Sequence, residues 1–167
     1  CPHLLWGDGG RIRGQRVGLV DACISAPTQQ MLFDISDSAL PPTFNDFLVG
    51  RCDLVDAARA LPQDTLLLKQ GELFLVPADS DWGRIQHALQ APCGVEVLGP
   101  GFLRLADELR LDSLVIDSEG DLGESVLASM AMSDHVLAVA QLDQQYYKGL
   151  GVALGLAGQL DIPHKSL

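Results

Sequence analysis

The chain alternates short, continuous apolar runs with longer stretches whose apolar residues recur at helical spacing. Four runs read as strands: 17–21 (Val-Gly-Leu-Val-Asp), 73–77 (Leu-Phe-Leu-Val-Pro), 114–117 (Leu-Val-Ile-Asp) and 135–140 (His-Val-Leu-Ala-Val-Ala). A run without polar alternation predicts a strand covered on both faces, as in a parallel sheet with helices on each side. A further strand at 66–68 would pair with the run at 73–77 across the turn at 69–71. Helical patterns fall at 44–49, 54–61, 82–89, 102–109, 122–132 and 146–160. Phe102, Leu105, Ala106 and Leu109 share one face while Arg104, Asp107 and Glu108 lie elsewhere, which predicts an amphipathic surface helix opening after Pro100-Gly101.

Strands alternating with helices predict an α/β fold: a three-layer, doubly wound, mainly parallel sheet with helices on both faces. The 167 residues, 47% of them hydrophobic, suit a single core, so residues 1–167 read as one domain. In such sheets ligands sit beyond the carboxyl ends of the strands. Asp21 and Asp117 close two of the predicted strands at that edge. Two readings stand for this pair: residues placed at a ligand site, or residues that end strands and cap the helix that follows.

The net charge of −11, from 11 Lys and Arg against 22 Asp and Glu, argues against nucleic acid and anionic membrane as partners. Beyond residue 111 the cations are Lys148 and Lys165, so that half is clearly acidic. Cys1, Cys23, Cys52 and Cys93 form no C-x-x-C pair and read as free thiols. His3, His87, His135 and His164 are scattered, without the spacing of metal ligands. No basic stretch followed by an apolar one opens the chain, and the weakly polar run at 149–160 falls short of the roughly 18–20 residues that span a bilayer. A cytoplasmic location without membrane attachment is the expectation.

Five segments, in order, resemble the ParA/MinD family of P-loop ATPases. Gly14-Gln-Arg-Val-Gly-Leu-Val-Asp21-Ala-Cys23 is similar to its G-x-x-V-L-x-I-D-x-D segment. Thr43-Phe-Asn-Asp-Phe-Leu-Val-Gly50 with Asp53-Leu-Val-Asp-Ala57 resembles the T-L-x-D-x-L-x-G and L-x-D-A helix pair, and Leu73-Phe-Leu-Val-Pro77-Ala resembles L-x-x-L-P-A. Leu111-Asp-Ser-Leu-Val-Ile-Asp117 through Gly123-Glu124 looks like Y-D-x-V-I-I-D-x-P-x-G-L-G-E, and Ser133-Asp134-His-Val-Leu-Ala-Val looks like A-D-x-V-L-V-V. The resemblance runs from about Gly14 to Asp161. It implies a nucleotide switch that binds ATP and Mg2+, acts as a homodimer or with a protein partner, and positions or partitions a cellular cargo.

Residue by residue, the resemblance makes Asp21 the catalytic candidate, as the first Asp of D-x-D, and Asp117 the magnesium candidate. The phosphate loop would lie in Gly7-Asp-Gly9-Gly10-Arg-Ile-Arg13-Gly14, with Gly9, Gly10 and Arg13 at the phosphates; an ordinary turn is the other reading of this segment. Laid over the family's K-G-G-x-G-K-T, Asp8 stands at the signature Lys, Ile12 at a Gly, Arg13 at the phosphate-binding Lys and Gly14 at the Thr. Cys23 stands at the second Asp of D-x-D, and Asp121, or Gly120 with the register moved by one, stands at the switch Gly. The chain is expected to lack the first P-loop helix, the C-terminal base-binding strand with its Asn-Lys/Arg pair, and a membrane-targeting helix. These departures imply an ATPase weakened or inactive in hydrolysis, with a non-catalytic pseudo-ATPase scaffold as the alternative.

Overall fold

In the computed structural model, which describes residues 14–35, 42–62, 71–120, 122–139, 144–159, 162 and 164–166, β1 (Arg16–Asp21) lies between β3 (Glu72–Val76) and β4 (Ser113–Asp117), parallel to both. β2 (Arg59–Ala60) pairs antiparallel with β3, giving the order β2-β3-β1-β4. Register runs Val17↔Leu73 and Val20↔Val76 on one side, Val17↔Ser113 and Asp21↔Asp117 on the other. Successive side chains of a strand alternate between faces, and that alternation sorts the apolar run of β1. Val17 and Leu19 join Leu73 and Val115 on one face, where Phe33 and Leu61 pack. Val20, with Val76 and Ile116, faces the larger core.

The larger core is filled by the helices α2 (Phe44–Leu48), α3 (Leu54–Ala57), α4 (Trp82–Ala88), α5 (Val95–Leu109) and α6 (Glu124–Ala131), through Phe44, Leu54, Ile85, Leu98, Phe102, Leu105 and Ala128. Burying each large side chain stabilises the fold by about 1.5–3 kcal/mol. α6 also packs Val126 and Met130 against Ala157 and Leu156 of α7 (Gln144–Gln159) and against Val136. The fold class expected from the sequence is the one observed: α/β, with a mainly parallel sheet and packed helices.

Three elements differ from the sequence reading. The helix predicted over 54–61 ends at Ala57, because Ala58 turns extended and the chain enters β2, just after which Leu61 N–H donates to the Leu73 carbonyl at 2.8 Å. The helix predicted from 102 begins at Val95 and runs through Pro100 and Gly101. A proline inside a helix removes one backbone hydrogen bond, but Leu98, Phe102 and Leu105 are buried while Pro100 is exposed, so the packed face is continuous across it. Gly101 has a packing reason: a Cβ there would sit 2.5 Å from Cζ of Phe47. Third, β5 (Val136–Ala138) pairs in parallel with β6 (His164–Ser166) in a separate two-stranded sheet. β6 lies in a segment where the sequence predicted no element.

The predicted strand at 66–68 and Asp121 lie outside the described residues, as does the loop at 7–13 with Gly9, Gly10 and Arg13. Gly14, at the end of that loop, has φ 60 and is exposed. Glycine adopts this left-handed conformation freely, whereas a β-branched Thr would be strained in it. Among the described residues no helix is long and apolar enough to cross a membrane.

Candidate functional site

Because β1 and β4 are parallel and in register, their closing carboxylates become direct neighbours: Asp21 is paired with Asp117 at the carboxyl edge of the sheet. The ladder continues one step further, with Ala22 N–H donating to the Asp117 carbonyl at 2.8 Å. The chain then folds back over the edge and enters a one-turn helix, α1 (Gln29–Leu32).

Asp21 holds that return loop. It is fully buried, and its carboxylate accepts three backbone N–H groups, from Cys23 at 3.3 Å on Oδ1 and from Thr28 at 3.2 Å and Gln29 at 3.0 Å on Oδ2. The first N–H groups of a helix have no partner within it. The Thr28 side chain does not cap α1, so Asp21 does so across the loop. Burial pushes the Asp21 carboxyl above its ordinary value; the three N–H donors pull the other way, and the Asp117 charge adds to the rise.

Asp117 is half-buried and accepts a hydrogen bond on Oδ2 from the side-chain amide of Gln29. Glu119, two residues on, accepts the Ser25 N–H at 2.7 Å, so β1's loop and the start of α1 are fastened to the end of β4 and the segment after it. Cys23 sits among these acids. Burial raises its thiol pKa, a backbone hydrogen bond from Ala26 opposes the rise, and the charges of Glu119, Asp21 and Asp117 reinforce it. The thiol therefore keeps its proton and is a poor acceptor for the proton of an attacking water.

A second polar junction ties α2 and α4 to the end of β3. Phe44 N–H donates to the Pro77 carbonyl at 2.8 Å, and Asp79 N–H donates to Asn45 Oδ1 at 2.8 Å. Thr43 and Asp46 form a capping box at the start of α2. Arg84 Nη1 reaches Asp79 Oδ2 at 2.5 Å and Asp46 Oδ2 at 3.5 Å, pairing two buried carboxylates. These contacts fix the edge of the sheet beside Asp21.

Among the described residues no group of three or more His, Cys, Asp or Glu side chains suits a metal ion. Magnesium is seldom held by an all-protein cage: it uses one or two carboxylates with phosphate and water. Asp117, hydrogen-bonded among the described residues by an amide on Oδ2, fits that limited share. Of the sequence candidates, Asp21 and Asp117 are brought together. Gln29 and Glu119 were missed, and no periodicity or spacing marks them, since both act through contacts across the fold.

No protein-family model matches the chain. The antiactivator FleN of Pseudomonas aeruginosa is 30% identical over 126 residues, which cover 75% of this chain and 40% of FleN. Cobyrinic acid a,c-diamide synthase of Mycobacterium smegmatis, solved with a bound ATP analog and magnesium, superposes with a TM-score of 0.70 at 20% identity, covering 92% of this chain and 62% of that one. The MinC:MinD cell division protein complex of Aquifex aeolicus matches with a TM-score of 0.66 at 19% identity, covering 92% of this chain and 55% of that one. At these identities the structural likeness is one of fold. The chain thus spans 40% of FleN and less than two thirds of either matched structure.

Proposed function

We propose that this chain, related in sequence to FleN and sharing the fold of MinD, is of the ParA/MinD type and serves as a nucleotide-controlled switch. The switch positions a cellular component through a protein partner, or as a homodimer, in the cytoplasm. The observation that carries this reading is the register pairing of Asp21 with Asp117 at the carboxyl edge of the sheet. ATP and magnesium, when bound, would supply the phosphate charge whose presence or loss sets the state of the switch. Asp117 would hold magnesium or its water, and Gly9, Gly10 and Arg13 would lie at the phosphates. Asp21 keeps the loop carrying Cys23 and Ser25 folded against that edge.

Partner binding is supported by the relatives: FleN is an antiactivator, and MinD is found in complex with MinC. Nucleic acid and membrane are not proposed as partners, given the net charge of −11. Hydrolysis is weakened in this reading, since the protonated Cys23 thiol stands where the family's second Asp orients water. The same thiol favours a second reading, a pseudo-ATPase scaffold that binds its partner without turnover.

Calorimetry with Mg-ATP and Mg-ADP separates the two, repeated on Asp117→Ala. Micromolar binding that Asp117→Ala abolishes supports the switch. Absence of heat at millimolar nucleotide removes it and leaves the scaffold.

A further inference from the structure

Gln29 is buried, 6% exposed, and bonds both carboxylates of the site at once. Its backbone N–H donates to Asp21 Oδ2 at 3.0 Å, while its side-chain amide donates to Asp117 Oδ2. The two carboxylates differ in what else holds them. Asp21 is fixed by three backbone donors from a single loop. Asp117 is the last residue of β4, half-buried, and the side-chain donor that reaches it comes from a residue 88 positions away.

We infer that Gln29 is a positioning residue for Asp117, resting on the reading of Asp117 as the magnesium carboxylate. The carboxylate torsion of an Asp is broad when nothing pins it. An amide on Oδ2 fixes that torsion and leaves Oδ1 for the metal or its water. Hydrogen bonds of this outer kind orient metal-binding carboxylates, and their loss typically weakens metal binding 10–100-fold. The backbone of the same residue is held by Asp21, so the loop at 22–28 and the metal carboxylate form one mechanical unit. Movement of the loop moves the donor away from Asp117, and by linkage a metal that needs Asp117 in place favours the folded-back loop.

The test uses Gln29→Met, which keeps length and apolar bulk but removes the donor, and Gln29→Glu, which sets an acceptor against Asp117. The first measurement is made on the full chain without nucleotide: the NMR signals of the Gln29 side-chain amide should be slow to exchange and shifted from those of exposed glutamines. Asp117→Ala should return them to ordinary values, and signals that Asp117→Ala leaves unmoved overturn the inference. The second compares ADP binding with magnesium and with the metal chelated away. Gln29→Met should weaken the magnesium-dependent part about tenfold, and Gln29→Glu more, with metal-free ADP binding unchanged. A residue that only packs would lower the melting temperature of Gln29→Met and leave the magnesium dependence as in the wild type, which also overturns the inference. If instead Asp117→Ala binds Mg-ADP as well as the wild type, or the wild type does not bind it, the reading of Asp117 fails and this role falls with it.

Discussion

Asp21 and Asp117 end adjacent parallel strands in exact register, yet their environments are opposite: Asp21 is fully buried under three backbone N–H groups, while Asp117 is half-buried and met by a side-chain amide. One acid is committed to the loop, and the other is available at the edge. Asp21→Ala strips the acceptor from three N–H groups at once. It is expected to cost about 3 kcal/mol in urea unfolding, within the range for leaving buried donors unpaired beside a lost charge. Hydrogen exchange at Cys23, Thr28 and Gln29 should rise in the same variant, and unchanged exchange there would show that Asp21 does not hold the loop.

Arg84 stands between the buried carboxylates of Asp46 and Asp79. Removing one partner of a buried ion pair leaves an uncompensated charge, a loss of about 3–5 kcal/mol. Arg84 is itself only partly buried, which lets water screen the pair. Arg84→Met is therefore expected to destabilise by about 2 kcal/mol, read from the urea midpoint, and Arg84→Lys by less.

Gly101 lets α5 pass over the ring of Phe47. Ala is intrinsically better in a helix by about 1 kcal/mol, but forcing a methyl into a filled contact costs about 1–3 kcal/mol. Gly101→Ala should lose about 1 kcal/mol on balance. Combined with Phe47→Leu, which clears the ring edge, the same substitution should cost less than it does alone. Additive losses in that double-mutant cycle would refute the contact.

Cys52 has its thiol pKa raised from 9.0 to about 11, first by burial and then by the charges of Asp46, Asp56 and Asp53. In the folded chain it should react slowly with iodoacetamide at neutral pH, and faster once urea exposes it. The linkage follows from proton binding: between pH 9 and about 11 the unfolded thiol has ionised while the folded one has not. The folded state then binds more protons, so stability falls as pH rises through that window. Cys52→Ala should flatten this slope, and an unchanged slope would count against the raised value.

The apolar runs at 17–21, 73–77 and 114–117 announced β1, β3 and β4, because a strand covered on both faces carries its burial in unbroken local sequence. The start of α2 is local as well, since Thr43 and Asp46 close a capping box within one turn, although the sequence reading drew only the helical pattern at 44–49. Local chemistry of this kind, together with the order of five motifs, determined the fold class and named Asp21 and Asp117. Tertiary structure decided the rest. The two residues of β2 are a strand through their pairing with β3; α5 runs past Pro100 because Leu98, Phe102 and Leu105 are buried on either side of it; β6 is a strand through its pairing with β5, which the run at 135–140 had announced. The site divided in the same way. Its two carboxylates are strand ends and therefore written in the local pattern. Gln29, which joins them across 88 positions, is a polar residue whose meaning depends on a hydrogen bond that forms only after the sheet has brought β1 and β4 together.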